Sequence, residues 1–445
     1  MRFVEEKSAC FLRRTLVLAG LTSFACVGRV QAFEADKYLS YNWEKFLVQP
    51  QLDLSTQFTD NLLYAPRGSE FHSKYDIPLE SDFIQTFSPG VEVQYGRNDE
   101  NSFKATAFFD ELLYTNNSEY NGQQERLALE SRMEFGRFTL KGTDSIQWMD
   151  QIQSGSSATF YRAPIRYLSW VDDYRLTYDA TIKSDLYLGL NHNLMEYLQE
   201  VGYYNQGTVT GTLGATYKPS ETLGVFVEAQ GGHTSIDPAA PFMAPVTPSN
   251  IYGGFIGARG VFTPRIDGSV GVGYLIRDFP ATVKTTDQSS PAVNLGLNYT
   301  QSVRRFFNLS YTRGLYVSST IPDQSYLSDA VQLSMTQTIG RQGSSSRPSA
   351  SSGRWLTRIS AGMNFGNYGD RYTYIGDVPV NQAQQNQYLT GTASLVYQPN
   401  GWLTTTLSYQ YMNYRVSFTD PLAGANYGAN DYHVSWVTLQ ISIGY

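Results

Sequence analysis

The sequence is poor in cysteine and in charge, and both shortages narrow the possible class of protein. Only two of the 445 residues are cysteines, Cys10 and Cys26, and both fall in an N-terminal segment that we expect to be removed. A mature chain without cysteine has no disulfide and no thiolate chemistry. Charged residues make up 16% of the chain, whereas soluble domains average about a quarter.

Long apolar runs and a basic surplus are also missing. Beyond the N-terminal segment no stretch approaches the roughly 18 consecutive apolar residues of a membrane-spanning helix. The formal net charge is −7, which argues against a nucleic-acid partner. Aromatic residues, by contrast, reach 14%, and 33 residues are tyrosines. This combination indicates an all-β chain with one polar and one apolar surface.

The N-terminus has the three parts of a secretory signal peptide. A basic start ending at Arg14 precedes the apolar run 15–28, and Val30-Gln31-Ala32 forms a small-residue cleavage site. The run is too short to span a bilayer as a helix. We therefore expect a cleaved signal peptide over residues 1–32 and a short periplasmic segment over 33–45.

Apolar residues in the remaining chain alternate with polar ones at a period of two, as in β-strands. The C-terminus is the clearest example, with one face formed by Val437, Leu439, Ile441, Ile443 and Tyr445. Such a strand ending on an aromatic residue is typical of the assembly signal of bacterial outer-membrane barrels. The pattern predicts eighteen strands, with starts near residues 47, 82, 102, 126, 137, 167, 184, 206, 222, 251, 266, 291, 305, 326, 354, 386, 402 and 432.

Strand length and connection length favour a membrane barrel over a soluble sandwich. The strands are about 10–14 residues long, whereas soluble strands average about 5–6. Short connections alternate with long ones. The long connections include 60–81, 150–166, 234–250 and 367–385. We expect one transmembrane antiparallel up-and-down β-barrel over 46–445. It would have about 18 strands (16–18), short periplasmic turns, long extracellular loops and both termini in the periplasm of a Gram-negative cell.

Charged residues on the polar faces of these strands are the candidates for lining the lumen. Both signs occur, so they could set ion selectivity or only pair with one another across strands. Many Asn, Gln, Ser, Thr and Tyr residues share these faces and suit a neutral or sugar-like solute. The candidates are Glu92, Lys104, Asp110, Glu130, Arg132, Glu134, Asp173, Arg175, Glu228, Arg259 and Arg358.

The first hairpin, over about residues 47–95, carries a family resemblance. It resembles the opening of a family of outer-membrane β-barrel porins, many of them encoded with exopolysaccharide or capsule secretion systems. The resemblance implies an outer-membrane conduit, with polysaccharide as one candidate cargo. Asp60 and Asn61 predict either an Asx turn or a calcium or sugar contact. The matching residues are Asp60, Asn61, Ser81, Asp82, Phe83, Pro89 and Gly90.

The sequence offers little for catalysis, and we expect no cofactor, no metal and no enzymatic activity. Its four histidines have no zinc spacing, and no phosphate-binding loop or nucleophile elbow is present. Some outer-membrane lipid deacylases use a His and a Ser two residues apart on a lipid-facing strand. His233 and Ser235 have that spacing, but the sequence shows no acid partner, so a hydrolase is the remotest hypothesis.

The functional hypothesis is an outer-membrane channel that passes a polar solute, with exopolysaccharide export as a finer version. The main alternative is a structural or adhesive barrel that displays loops such as 70–79 and 235–250. The expected partners are outer-membrane lipid, the barrel-assembly machinery and a periplasmic polysaccharide-export protein. The Ser- and Arg-rich segment 341–353 is either a flexible linker or a docking point for such a partner.

Overall fold

The structure is a computed structural model, and it describes most of the chain after residue 39. The signal peptide, most of segment 33–45, the segment 341–353 and Tyr445 lie outside the described residues. The described ranges are 40–43, 45–65, 79–96, 101–152, 164–201, 203–239, 248–280, 288–317, 325–339, 354–375, 378–418 and 431–444.

Nineteen β-strands and one short 3-10 helix, Ser118–Tyr120, make up the regular structure of these ranges. No helix in the described part of the chain has the length and hydropathy needed to cross a membrane. The strands are β1 (Tyr41–Trp43), β2 (Phe46–Thr59), β3 (Asp82–Tyr95), β4 (Asn101–Tyr114), β5 (Gly122–Phe135), β6 (Phe138–Gln151), β7 (Ile165–Thr181), β8 (Ser184–Tyr197), β9 (Tyr204–Tyr217), β10 (Leu223–Pro238), β11 (Ser249–Thr263), β12 (Ile266–Asp278), β13 (Gln288–Ser302), β14 (Arg305–Val317), β15 (Ser325–Ile339), β16 (Arg354–Ile375), β17 (Val378–Gln398), β18 (Leu403–Phe418) and β19 (Tyr432–Ile443).

Strands β2 to β19 form a closed antiparallel barrel of 18 strands. Each strand pairs with its neighbours in sequence, and the last strand returns to the first. The closing pairs run from Trp436 opposite Thr59 to Ile443 opposite Leu52. Closure leaves no free sheet edge along these pairs, which is how a barrel satisfies its backbone hydrogen bonds. The three-residue β1 lies outside the ring and pairs with β2.

The predicted fold class is confirmed, and all eighteen predicted strands are present. The largest displacement is at β17, which begins at Val378 rather than near residue 386. The expected long loop 367–385 is wrong, because β16 and β17 continue as a paired hairpin as far as Ile375 and Val378. Alternating polarity fades in this polar segment, so the sequence pattern did not show that pairing continues.

Pro50 is accommodated without a bulge toward β3. A proline inside a strand predicts either a bulge or pairing that starts after it, and Pro50 pairs with Val91 in an unbroken register without a bulge. The pairing of β2 with β19 begins only at Leu52, two residues after the proline. A proline cannot donate a ladder hydrogen bond. Pro50 lies beyond the last residue of β2 that pairs with β19, so β19 does not require a hydrogen bond from it. On the side of β19, pairing therefore starts after Pro50, which is the second of the two alternatives.

The two faces of the wall differ in polarity. Large apolar side chains are exposed on the outer face, with Leu188, Leu213 and Leu333 each at least half exposed. The alternate residues point inward, and on this concave face side chains meet across several strands. Arg259 on β11, for example, lies over the ring of Tyr187 on β8. The outer face therefore has the character of a lipid-facing surface and the inner face that of a polar lumen.

One hairpin end leaves the wall and turns inward. The pairing of β13 with β14 begins at Val293 opposite Arg313, although β14 continues to pair with β15 as far as Val317. Val317 packs against Tyr204 and Ile236, which point inward from β9 and β10. We call residues 314–317 and 325–328 the inward hairpin. They lie at the end of the barrel that carries most of the long connections, which we call the loop end.

A charge is expected to be tolerated on one face of β15 and not on the other. Leu333→Arg places a charge in the middle of the outer face and should lower the free energy of unfolding in lipid vesicles by about 2–4 kcal/mol. The matched variant Gln332→Arg, one residue away on the inner face, should change it far less. Equal losses in the two variants, measured by denaturant unfolding in vesicles, would contradict this assignment of faces.

Candidate functional site

The register of the barrel places all eleven charged lumen candidates on the inner face. On strands β3 to β5 they take part in three sets of contacts. Lys104 Nζ lies 3.2 Å from Glu92 Oε2, and Arg132 pairs with Glu134 on its own strand. Asp110 accepts two hydrogen bonds, at 2.7 and 2.9 Å, from Arg126. Much of the charge on strands β3 to β5 is therefore neutralised by cross-strand and same-strand pairing.

A second cluster joins strands β7, β8, β10 and β11. The guanidinium of Arg175 lies 3.7 Å from the ring centroid of Tyr187, and that of Arg259 lies 4.9 Å from it. The Tyr187 hydroxyl donates a hydrogen bond of 2.7 Å to Glu228. Two cations and one carboxylate thus surround a single ring, which leaves a local excess of positive charge at the lumen wall. Thr216 also accepts a hydrogen bond from Arg259.

The other three candidates lie on the same face at separate positions. Glu130 is opposite Lys104 in the register, Asp173 is opposite Thr143, and Arg358 is opposite Thr336. Arg126 and Tyr187 complete these contacts but were not among the sequence candidates. Alternation along β5 could have identified Arg126, which shares a face with Glu130. No candidate lies on β8, and Tyr187 carries no charge that would have marked it.

A cavity of about 500 Å³ lies between the inward hairpin and the inner wall of β8 to β13. On one side Leu315 of the hairpin packs with Phe255 and Leu275 of the wall. By the alternation of β14, Leu315 belongs to the outer face. It meets the inner face of β11 and β12 because the hairpin has moved inside the barrel.

Arg277 fixes the hairpin to the wall. It is only 4% exposed. One terminal nitrogen donates to the hydroxyls of Ser249 (2.8 Å) and Thr234 (3.3 Å), and the other donates to the carbonyl of Leu315 (3.3 Å). Its Nε has no hydrogen-bond partner among the described residues. Sequence alternation places Arg277 inward but carries no signal that the hairpin would meet it.

Asp60 and Asn61 form a turn that joins the first loop to the barrel closure. The Asn61 carboxamide accepts from Ala65 N (2.7 Å) and donates to the carbonyls of Ala65 (2.9 Å) and His433 (3.0 Å). Asp60 Oδ1 accepts from the Ser435 amide at 2.7 Å. These side chains serve the backbone as in an Asx-type turn, and they attach the loop after β2 to β19.

Asp82, in the second part of the family-like motif, organises a neighbouring loop. Its carboxylate accepts from the amides of Phe83 (2.7 Å), Asn116 (3.0 Å) and Asn117 (3.1 Å), and from the Asn117 side chain (3.0 Å). Ser81 precedes it, and the exposed Phe83 points outward and packs against Phe58. Pro89 and Gly90 lie in the middle of β3, where the register places Gly90 opposite Phe108.

The first loop follows β2, and its described residues 60–65 turn into the barrel and cover a run of inward tyrosines. Tyr64, whose φ of 51° is in the left-handed region, packs against Tyr432 with ring centroids 5.2 Å apart. Tyr432 in turn contacts Tyr414 at 5.3 Å. Burial, reinforced by Tyr114, raises the pKa of Tyr64 to about 12. The first loop therefore narrows the lumen at the loop end with neutral aromatic rings.

His233 and Ser235 both lie on the outer face of β10 but are bound to different groups. His233 Nδ1 lies 2.8 Å from Asn250 Oδ1, and the Ser235 hydroxyl donates to the Gly207 carbonyl at 3.4 Å. The described contacts do not join the two residues. No group of three His, Cys, Asp or Glu side chains within the described ranges could hold a metal ion.

The outer-face residues of the C-terminal strand are paired on both sides. Val437 and Leu439 are exposed on the outer surface, and Ile441 and Ile443 continue the same face opposite Leu54 and Leu52. These are the described members of the predicted assembly signal. A role in assembly stays a prediction.

Comparisons with known proteins find distant structural likenesses. No protein-family model and no curated protein sequence matches the chain. Outer membrane protein OpdK from Pseudomonas aeruginosa is 9% identical over 89% of this chain and 99% of its own, with a TM-score of 0.42. OccAB3 from Acinetobacter baumannii is 12% identical over 89% and 99%, with a TM-score of 0.39. The siderophore receptor PirA from Pseudomonas aeruginosa is 9% identical over 88% and 80%, with a TM-score of 0.37. Likenesses this distant carry no inference about what the chain does.

The Asn61 turn is expected to be a large local contribution to stability. Asn61→Ala leaves one amide and two carbonyls without their partner, which should cost at least about 3 kcal/mol in free energy of unfolding at roughly 1–3 kcal/mol per unsatisfied buried group. Asn193→Ala, at a lumen position, is the matched control and should stay within about 0.5 kcal/mol. Denaturant unfolding in vesicles measures both. A loss below 1 kcal/mol for Asn61→Ala would contradict the assigned role.

Proposed function

We propose that this protein is an outer-membrane channel for a polar solute, with the solute passing through the barrel lumen. The observation that carries the proposal is the closed ring of 18 strands, apolar outside and polar inside. Barrels of 16 to 18 strands are wide enough for an aqueous channel. An apolar outer face and a polar, charged inner face suit a wall between lipid and water.

Two inward elements narrow the proposed channel at its loop end. The first loop adds tyrosine rings at Tyr64, and the inward hairpin occupies part of the cross-section opposite β9 and β10. Between them the lumen retains paired charges and many hydroxyl and amide groups. This lining supports passage of a neutral or weakly charged hydrophilic solute rather than of a strongly charged one.

Orientation is part of the same proposal. Most long connections lie at the loop end, and the other end has two-residue turns such as 182–183 and 264–265. In bacterial outer-membrane barrels the short turns are periplasmic. We infer that the loop end faces the cell exterior and that both ends of the chain lie in the periplasm. Protease digestion of intact cells tests this, since only sites at the loop end should be cut.

Single-channel recording in planar bilayers is the direct test of the channel. The purified protein should give discrete conductance steps, and deletion of the inward turn of the first loop, residues 62–64, should increase their size. Two variants serve as folding controls. Leu333→Arg shows how a preparation that inserts poorly behaves, and Gln332→Arg shows how one that inserts normally behaves. Absence of any conductance in both the full chain and the loop deletion would overturn the channel proposal.

The cluster around Tyr187 is expected to influence ion selectivity. Arg259→Glu replaces one of the two cations near that ring with an anion and should shift the reversal potential in a salt gradient toward cation selectivity. Arg305→Glu, at the turn end of β14 and away from the cluster, provides the matched charge change. Identical reversal potentials for wild type and Arg259→Glu would show that the cluster is only a structural ion pair.

Polysaccharide as the cargo is the finer form of the proposal. Its support is the resemblance of residues 47–95 to porins encoded with polysaccharide secretion systems, together with the hydroxyl- and amide-rich lining. Deleting the gene in its host and measuring surface and secreted polysaccharide tests it. Unchanged polysaccharide, with channel conductance present, would leave a general porin. A barrel that only displays adhesive loops would show neither conductance nor a polysaccharide defect.

A further inference from the structure

The cavity behind the inward hairpin has walls of two different kinds. Polar residues of β8 and β9, including Asn191, Gln206 and Thr208, form one side. Apolar residues form the other, where Phe255 and Leu275 of the barrel wall meet Leu315 of the hairpin. Its volume of about 500 Å³ falls within the range of small-molecule sites, about 300–1,000 Å³. The cavity therefore places a polar wall and an apolar wall opposite each other.

Arg277 supplies a charge to this cavity without a charged partner. It lines the cavity, is only 4% exposed, and all its hydrogen bonds among the described residues go to neutral oxygens. Its Nε is buried and makes no hydrogen bond to any described residue. Burying a guanidinium without an anion is costly. An anion bound in the cavity would supply the missing charge.

The second arginine of the cavity differs in this respect. Arg313 also lines it, and its Nε likewise has no hydrogen-bond partner among the described residues. Its charge, however, is neutralised by Asp329, which lies 3.3 Å from its terminal nitrogen. Within the described residues, the cavity therefore offers one cation without a charged partner next to an apolar surface. A ligand that fits both features has an anionic end and an apolar body.

We propose that the cavity behind the inward hairpin binds a small amphipathic carboxylate, with its carboxylate at Arg277 and its apolar body against Phe255 and Leu275. The proposal does not depend on the passage of a polar solute through the lumen. The inward position of the hairpin creates the site, because Leu315 closes a surface that would otherwise face the open lumen.

The sequence contains one trace of this arrangement. Pro291 lies in the part of β13 that β14 has left, and there it still pairs with Tyr274 of β12. Proline is found at strand edges because it lacks a backbone donor. Its position therefore agrees with a local edge in β13, which frees the end of β14 to move inside.

Binding of octanoate to the full-length protein in lipid nanodiscs tests the proposal, with octanamide as the uncharged analogue of equal length. Isothermal titration calorimetry, corrected with empty nanodiscs, should show octanoate binding at least tenfold more tightly than octanamide. Arg277→Met should bring the two affinities to within about threefold. Arg277→Lys should retain a preference for octanoate, since it keeps the charge.

A second variant keeps the test valid if Arg277→Met disturbs the hairpin. Thr210→Phe fills the cavity from β9 without touching Arg277 and should abolish octanoate binding. Arg305→Met removes an arginine outside the cavity and should leave binding unchanged. Equal affinity for octanoate and octanamide would overturn the proposal, as would octanoate binding that survives Thr210→Phe.

Discussion

The structure depends above all on the need to satisfy every backbone N–H and C=O group of a long chain with few other sources of stability. The mature chain is expected to have no disulfide, and charge is sparse. An 18-strand ring meets this need, because each strand finds a hydrogen-bonding neighbour on both sides and the sheet has no open edge. The pairing of Ile443 with Leu52 closes the ring and makes the two ends of the chain neighbours. Local departures from the ring, at Pro50 and Pro291, occur where a neighbouring strand has ended or has turned away.

Closure also separates the chemistry of the two faces. With a period of two, each strand must give half its side chains to the outside and half to the lumen. The outer half is mostly apolar, and this explains why charge is only 16% of the sequence. The inner half then has to neutralise its own charges in a confined space, as Arg126 does with Asp110. The cluster around Tyr187 shows a further solution, in which an aromatic ring accommodates two cations.

The lumen is shaped by elements that leave the wall rather than by the wall itself. Asn61 turns the first loop inward and anchors it to the backbone near His433. Arg277 holds the inward hairpin through the carbonyl of Leu315. Both anchors are single polar side chains that bond to backbone groups distant in the sequence. They decide the width of the proposed channel and create a cavity that the barrel alone would not contain.

The sequence by itself determined the fold class, the number of strands and the face of each candidate charge, because alternation is a local property that repeats along every strand. It also indicated that Asp60 and Asn61 form a turn. Only the tertiary structure decided that Arg175 and Arg259 share one ring at Tyr187, that segment 367–385 is largely paired, and that the hairpin after Arg313 lies inside the barrel. Those features depend on contacts between residues far apart in the chain, and a period of two contains no information about which distant side chains will meet.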